Sequence, residues 1–386
     1  MDAPRPKLLF LVAEDWVFCS HRLSLARAAR DAGYDVVVVT RVNRHGAIIE
    51  REGLRLYPLA LSRRSIDPWR EWATLRRIIA IYRAERPDLV HHVTLKPIIY
   101  GSLAARAAKV PAVVNAFTGL GYVFIAQGAK GAGLRAVAGG LLKLALKGVR
   151  ARTILQNDDD ADSLVNAGIV RREDIVIIRG SGVDLSLFPV VPEPAGEPLV
   201  VLPARQLWDK GVGEFVAAAR RLRADGVKAR FVLVGDADAE NPAAVPERTL
   251  LQWRESGDVE WWGHRDDIPA ILAACHVVCL PSYREGLPKT LLEAAAAGRP
   301  SVTTDVPGCR DIVLHGRTGL VVPARDDVRL AAALRQLVED APLRARFGAA
   351  ARELVESGFT QQHVAQQTLA LYAELRAGAG RASRRG

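Results

Sequence analysis

Short apolar, β-branched runs recur along the chain with a helical stretch after most of them, and the whole rhythm plays through twice. Residues 7–12, 35–40, 54–61, 89–93, 112–115 and 153–156 read as strands in the first half, with helices predicted at 21–32, 70–86 and 98–109. Residues 199–202, 231–235, 259–263, 277–280, 301–304 and 319–322 repeat the pattern in the second half. Strands separated by helices are joined by crossovers rather than hairpins, and the product is a parallel sheet covered on both faces. The predicted fold class is α/β, with two doubly wound, Rossmann-like parallel-sheet domains facing across a cleft. Ligands of such sheets sit outside the carboxyl ends of the strands.

At 386 residues the chain exceeds one ordinary core, which agrees with two domains. Val191-Pro192-Glu193-Pro194-Ala195-Gly196-Glu197-Pro198 reads as the linker between a domain over 1–190 and another over 191–359. A helix over about 360–376 is expected to return to the first domain, and the basic tail 377–386 to be disordered. No stretch approaches the ~20 apolar residues of a membrane-spanning helix, and the first residues lack a secretory pattern, so a cytoplasmic location is expected. Cys19, Cys275, Cys279 and Cys309 have neither zinc-finger nor disulfide spacing and read as buried small hydrophobes. Asn157-Asp158-Asp159-Asp160 reads as a helix N-cap followed by first-turn acids rather than a metal cluster.

The net charge of +10 is confined to one half: residues 1–190 hold 28 Lys and Arg against 18 Asp and Glu, while residues 191–386 hold 25 against 25. Between Gly101 and Arg150 there are seven basic residues and no acid, interleaved with Leu134, Val137, Leu141, Leu142, Leu144 and Leu146. Arg135, Lys143, Lys147 and Arg150 can form one basic edge of an apolar helix, suited either to an anionic membrane surface or to plain solvation beside a core helix. Nucleic acid is disfavoured, because no helix-turn-helix, zinc-finger or aromatic RNA-binding signature accompanies the charge.

The chemistry concentrates in the second half. Pro281 and Gly286-Leu287-Pro288 break a buried strand into a loop that opens into a helix near Lys289, with Glu285 in the loop and Glu293 just over one turn into the helix. The helix N-terminus suits a diphosphate, and carboxylates on either side suit the hydroxyls of a sugar and a ribose. Arg205 and Lys210 flank another loop at a strand end, where two cations neutralise a diphosphate, Arg as a fork and Lys as a point charge. By spacing alone, Glu285 and Glu293 also match an acid/base pair for hydrolysis. With two cations beside them and no water-activating partner, they read instead as groups that grip hydroxyls of one donor.

Together Arg205-Gln206-Leu207-Trp208-Asp209-Lys210-Gly211, Gly235-Asp236, Gly263-His264-Arg265-Asp266-Asp267, residues 285–294 and Gly316-Arg317-Thr318-Gly319-Leu320-Val321-Val322-Pro323 resemble the retaining glycosyltransferases of family 4, whose fold is GT-B. The resemblance implies that Arg205 and Lys210 hold the donor diphosphate, that Glu285 meets the donor sugar and Glu293 the ribose, and that backbone at Gly263 and His264 brackets the base. Gly235, Gly286, Leu287, Pro288 and Thr290 complete the implied donor site. In the first half, Ser20-His21-Arg22, residues 92–102 and Gly119-Leu120-Gly121-Tyr122-Val123-Phe124 resemble the subgroup that builds capsule, O-antigen and lipid-linked glycans. That implies transfer from a nucleotide sugar, preferably a UDP-sugar, to a polyprenyl-diphosphate-linked saccharide at the inner face of the membrane. His21, Arg22 and Lys96 are the candidates for the acceptor's phosphates, with Thr118 and Gly119 nearby in the acceptor region.

Two departures from the family pattern stand out. The stretch Asn115-Ala116-Phe117-Thr118-Gly119 lacks the histidine many members carry there, and Ala13-Glu14-Asp15-Trp16 replaces a Gly-rich first loop. Asp15 is the candidate for the environment of the acceptor hydroxyl, the alternative being a solvent-exposed loop acid. Neither cofactor nor metal is expected. Rival readings are a sugar-nucleotide 2-epimerase of similar architecture and an inactive nucleotide-sugar-binding partner of another transferase; the intact set of Arg205, Lys210, Glu285 and Glu293 disfavours the second.

Overall fold

The computed structural model describes residues 5–61, 67–120, 128–238 and 241–383, the side chains of 128–132, 134–135 and 379–383 excepted. Its contacts divide the chain into two units, Met1–Ser181 with Gln361–Gly386, and Gly182–Thr360.

In the first unit seven strands form one parallel sheet: β1 Lys7–Glu14, β2 Asp35–Arg41, β3 Arg55–Pro58, β4 Leu89–Val93, β5 Ala112–Ala116, β6 Ala151–Leu155 and β7 Ile175–Ile177. The order is β3-β2-β1-β4-β5-β6-β7, so the chain reverses its direction of travel between β1 and β4. Alternate residues of β1 serve opposite layers, as the pleat requires. Leu8, Phe10 and Val12 join one core with Phe18 and Val38, and Leu9, Leu11 and Ala13 join another with Ile78 and Tyr82. Val364, Ala365, Leu371, Tyr372 and Leu375 of the last helix, Gln361–Ser383, belong to the first of these cores.

Beneath the β1 to β3 edge, Glu85 accepts from Lys7 Nζ at 2.7 Å, Arg55 Nη1 at 2.6 Å and Tyr57 Oη at 2.5 Å. Burial would raise its pKa, but the bonds from Lys7, Tyr57 and Arg55 outweigh burial and hold it down to about 2. A depressed carboxylate stabilises the fold above its unfolded value near 4.3 and loses that contribution as pH falls toward the folded value. Glu85→Gln is therefore expected to lose of order 2–3 kcal/mol at pH 7 and little below pH ~2, which denaturant melts at several pH values read directly. An equal loss at pH 7 and pH 2 would contradict this origin.

The second unit contains β8 Leu199–Pro203, β9 Arg230–Val234, β10 Glu260–Trp261, β11 Val277–Leu280, β12 Ser301–Thr304 and β13 Gly319–Val322, all parallel. Their order is β10-β9-β8-β11-β12-β13, which places the switch point between β8 and β11. Val200 and Leu202 face a core with Phe215 and Phe231, while Leu199 and Val201 face one with Leu291 and Leu292.

Several expectations change in detail. Ile175–Ile177 adds a strand the pattern did not reveal, since three residues after Arg171-Arg172-Glu173-Asp174 carry too little periodicity. The helix expected to start at 21 begins at Asp15 and is broken at Arg22. The units part at Ser181 and Gly182 rather than at 190, because Val183 and Phe188 join the core of the second unit and Val183 bridges to Thr360. The proline-rich stretch is strapped to that unit rather than left as a loose connector: the Pro194 carbonyl lies 3.0 Å from His276 Nε2, and Arg344 Nε donates to Glu193 at 2.8 Å. Residues 377–383, expected to be disordered, continue the last helix. The acidic run behaves as expected, Asn157 accepting from the Asp160 amide at 2.8 Å.

Candidate functional site

At the carboxyl ends of β8, β9 and β11 the second unit gathers the loops that the sequence singled out. The chain leaves β8 at Pro203, and Thr290 in the first turn of the helix Lys289–Ala296 donates to the Pro203 carbonyl at 2.8 Å. Two glycines let neighbouring backbones touch here. Gly211, at φ 73°, sits where a Cβ would lie 2.1 Å from the Pro281 carbonyl oxygen, and Gly235, at φ 129°, where it would lie 2.2 Å from the Ala204 carbonyl oxygen. The Tyr283 amide donates to the Asp209 carbonyl at 2.9 Å, which fixes the Lys210 loop against the Glu285 loop.

Lys210 Nζ is ion-paired with Glu285, and the Ser282 hydroxyl donates to the same carboxylate at 2.7 Å. Both charged groups are mostly buried, so the pair is positioned and only partly screened. Arg205 is more exposed and pairs with Asp238 at 2.6 Å, a surface ion pair of little strength that a diphosphate can displace. Lys289 Nζ lies 3.1 Å from Glu293, whose carboxyl is pushed upward by burial against the opposing pull of Lys289. No side chain caps the helix Lys289–Ala296. Gly286 has its carbonyl 2.4 Å from where a Gly308 Cβ would stand, so the Glu285-Gly286-Leu287-Pro288 loop rests on a second glycine turn.

Gly263 and His264 occupy the turn after β10. The Gly235 amide donates to the Gly263 carbonyl at 2.7 Å, and the His264 amide donates to Asp236 Oδ1 at 2.8 Å. The described residues thus bring Arg205, Lys210, Gly235, Gly263, His264, Glu285, Leu287, Pro288 and Thr290 to one end of one sheet, with Glu293 a turn further along the helix. Sequence reasoning gave no role to Asp209, Ser282, Asp238 or Gly308. Asp209 is the notable one: burial raises its pKa, and its Oδ1 is buried without a hydrogen-bond partner. Only its place beside Lys210 in the motif could have flagged it.

In the first unit the expected acceptor residues follow the ends of the neighbouring strands β1, β4 and β5. Asp15 is fully buried and accepts from the amides of Asn43 at 2.7 Å and His45 at 2.8 Å and from its neighbour Trp16 at 2.8 Å. This corrects both earlier readings of Asp15: the carboxylate is a peg for the loop after β2, neither exposed nor open to an acceptor hydroxyl. Lys96 pairs with Glu71 at 2.9 Å, beside Tyr100, and is not among the residues lining the cavity that His21 and Arg22 share. Thr118 and Gly119, half-buried, follow β5, with Gly119 at φ 115°. Tyr122, Val123 and Phe124 lie outside the described residues.

Two parallel-sheet, Rossmann-like units, one with cationic, carboxylate-bearing loops at its strand ends, are the architecture of the GT-B fold. Family models agree: residues 7–158 match the model described as glycosyl transferase 4-like, and residues 197–340 the model of glycosyl transferases group 1. The chain is 30% identical over 91% of its length, and 94% of the relative's, to the N,N'-diacetylbacillosaminyl-diphospho-undecaprenol alpha-1,3-N-acetylgalactosaminyltransferase of Campylobacter jejuni. It therefore belongs to this glycosyltransferase family and is a hexosyltransferase. The UDP-Gal:alpha-D-GlcNAc-diphosphoundecaprenol alpha-1,3-galactosyltransferase of Escherichia coli is 27% identical over 72% of this chain and 73% of its own. Among solved structures, Anabaena HepE in complex with UDP shares the fold at TM-score 0.75 and 19% identity, covering 95% of this chain and 100% of that one.

Proposed function

We propose that the protein transfers a sugar, with retention, from a UDP-sugar to a polyprenyl-diphosphate-linked saccharide in the synthesis of a bacterial surface glycan. The carrying observation is the Lys210 and Glu285 pair, held at the switch-point end of the second sheet beside a helix whose N-terminus no side chain caps. The Campylobacter and Escherichia relatives both act, by their names, on undecaprenol-diphosphate-linked sugars, and the latter takes UDP-Gal. Neither of these two relatives is named as an epimerase.

In the proposed reaction the bond from the anomeric carbon to the donor phosphate breaks while the acceptor oxygen bonds to that carbon on the same face. The acceptor proton passes to the departing phosphate oxygen, and the nucleoside diphosphate leaves. Lys210, Arg205 and the helix end stabilise the charge on that phosphate, so no metal is needed for it. Glu285, braced by Ser282 and Lys210, grips the sugar hydroxyls, and Glu293 the ribose. The purified chain, given UDP-sugars and a short-chain polyprenyl-diphosphate saccharide, is expected to form a product whose new linkage has the donor's anomeric configuration by NMR. An inverted linkage refutes the mechanism, and epimer formation without acceptor refutes the transfer.

The proposed site of work is the surface of an anionic membrane. No described helix is long and apolar enough to cross a membrane. The helix Gly128–Leu146, however, turns outward Val137, Leu141 and Leu144, each 48–63% exposed, while Ala138, Leu142 and Ala145 face the core. Lys143, Lys147 and Arg150 flank that stripe, and no acid lies between Gly101 and Arg150. Apolar side chains enter the interface while the basic ones meet anionic headgroups. Leu141→Ser with Leu144→Ser is expected to cut co-sedimentation with phosphatidylglycerol vesicles about tenfold while leaving transfer to a soluble short-chain acceptor intact. Undiminished vesicle binding by the double variant excludes this surface.

A further inference from the structure

Arg22 is a buried cation with no acid paired to it among the described residues. Its side chain is 5% exposed, Nη1 donates to the His21 carbonyl at 3.0 Å, and Nε has no hydrogen-bond partner. It lies where the helices Asp15–His21 and Leu23–Asp31 break, and it lines a small cavity with His21, Ser24, His91, Gly180 and Ser181. His91 is 1% exposed, and its Nε2 is the second buried atom on this cavity without a partner, its Nδ1 being engaged by the Tyr372 hydroxyl. Burial holds the imidazole neutral, with Arg22 adding to that effect, and lowers the guanidinium only to about 10, so Arg22 keeps its charge at neutral pH.

An uncompensated buried charge is costly, and proteins retain one where a partner of opposite sign completes it. The cavity holds about 10 Å³, room for one water or one oxygen of a larger group whose remainder stays outside. Its rim carries what such a group needs. Ser181 Oγ lies 3.4 Å from His21 Nδ1, Gly180 turns the chain at φ 74°, and Gln361 opens the longest helix of the unit, whose first turn is a natural end for an anion. A neutral water fills the space but leaves the Arg22 charge unanswered.

We propose that this cavity is an oxyanion site, in which Arg22 binds a phosphoryl oxygen and Ser181 with the start of the helix Gln361–Ser383 meets the rest of the group. The same chemistry is presented by free phosphate or diphosphate and by a lipid-linked diphosphate acceptor, and the second source rests on the function proposed above. Their charge had grouped His21, Arg22 and Lys96 as candidates for the acceptor's phosphates; the proposal gives the role to Arg22 and leaves Lys96 with Glu71.

The test is calorimetry of the full chain with inorganic diphosphate, saturating UDP being present to occupy the second unit's own cationic site. Wild type is expected to bind, Arg22→Gln to bind at least tenfold more weakly, and Arg22→Lys to recover part of the loss. In wild type with arginine labelled by nitrogen-15, one Nε signal should shift on titration, and this readout does not depend on any variant folding. Absence of both binding and shift means that the cavity holds water alone and overturns the proposal, as does equal binding by Arg22→Gln. A second arm measures transfer: a raised KM for the lipid-linked acceptor with an unchanged KM for the donor assigns the site to the acceptor. Unchanged kinetics alongside lost diphosphate binding assigns it to a free anion. If UDP itself fails to bind, the functional reading falls while the comparison of diphosphate binding between wild type and Arg22→Gln still judges this site.

Discussion

Lys210→Ala is expected to lower kcat/KM for transfer by about 100- to 1,000-fold, the usual effect of removing one group aimed at a developing negative charge. Lys210 is held by three separate constraints: its pairing with Glu285, the close approach of Gly211 to Pro281, and the bond from the Tyr283 amide to the Asp209 carbonyl. A lysine positioned in advance spends no reorganisation energy when the phosphate departs, which is why its effect on rate should be large. The substitution also leaves Glu285, 11% exposed, with only the Ser282 hydroxyl as a hydrogen-bond partner among those described. Part of the loss will therefore appear as a weaker grip on the donor sugar. Tm should fall by a few degrees at most, because a mostly buried carboxylate loses its counter-ion while no core packing is lost. Steady-state kinetics with circular dichroism melts separates the two effects. Turnover within a few-fold of wild type would place the leaving phosphate elsewhere.

Gly235→Ala should be the most damaging small substitution in the second unit. The position has φ 129°, a conformation side-chain-bearing residues rarely adopt, and the added Cβ would meet the Ala204 carbonyl oxygen at 2.2 Å. Neither backbone can yield easily. The Ala204 amide is bonded to the Val234 carbonyl at 2.9 Å, and the Gly235 amide to the Gly263 carbonyl at 2.7 Å. Strain plus clash should cost about 3 kcal/mol, and for a unit of this size that lowers Tm by roughly 6–12 °C. Because Ala204 precedes Arg205, the same shift moves a cation proposed to bind the donor, so nucleotide affinity should fall with stability. A calorimetric melt within a degree or two of wild type would show that the strands absorb the methyl group. Gly33, where a Cβ meets nothing within 4 Å, provides the contrast: its φ of 91° carries strain without a clash.

Legibility in the sequence follows the range of the interaction. The central strands of both sheets were readable because they are short apolar runs with both faces buried, as the alternate layers served by Leu8 to Ala13 show, whereas the half-buried Ile175–Ile177 at a sheet edge was not. That Arg205, Lys210, Glu285 and Glu293 gather at strand ends was readable because family 4 spacing is specific and strand ends are where such sheets bind ligands. Asp15 was misjudged because burial is a property of what packs over a residue: the loop carrying Asn43 and His45 returns from β2 to bond it. The length of the last helix was misjudged for a related reason, since a small, basic terminal stretch gives no periodic signal of its own. Arg22 was grouped with Lys96 on charge alone, and only their neighbours separate them.

The chain by itself determined the parallel α/β class, the doubling into two Rossmann-like units and the family of the donor motif, because local hydrophobic periodicity and fixed motif spacing carry that information. The tertiary structure decided which charges meet. Lys210 faces Glu285 across 75 residues of sequence, Asp238 takes Arg205, and Arg22 is left buried without a carboxylate. Such pairings depend on crossovers that bring remote strand ends together and on the water excluded there, and no local pattern encodes either.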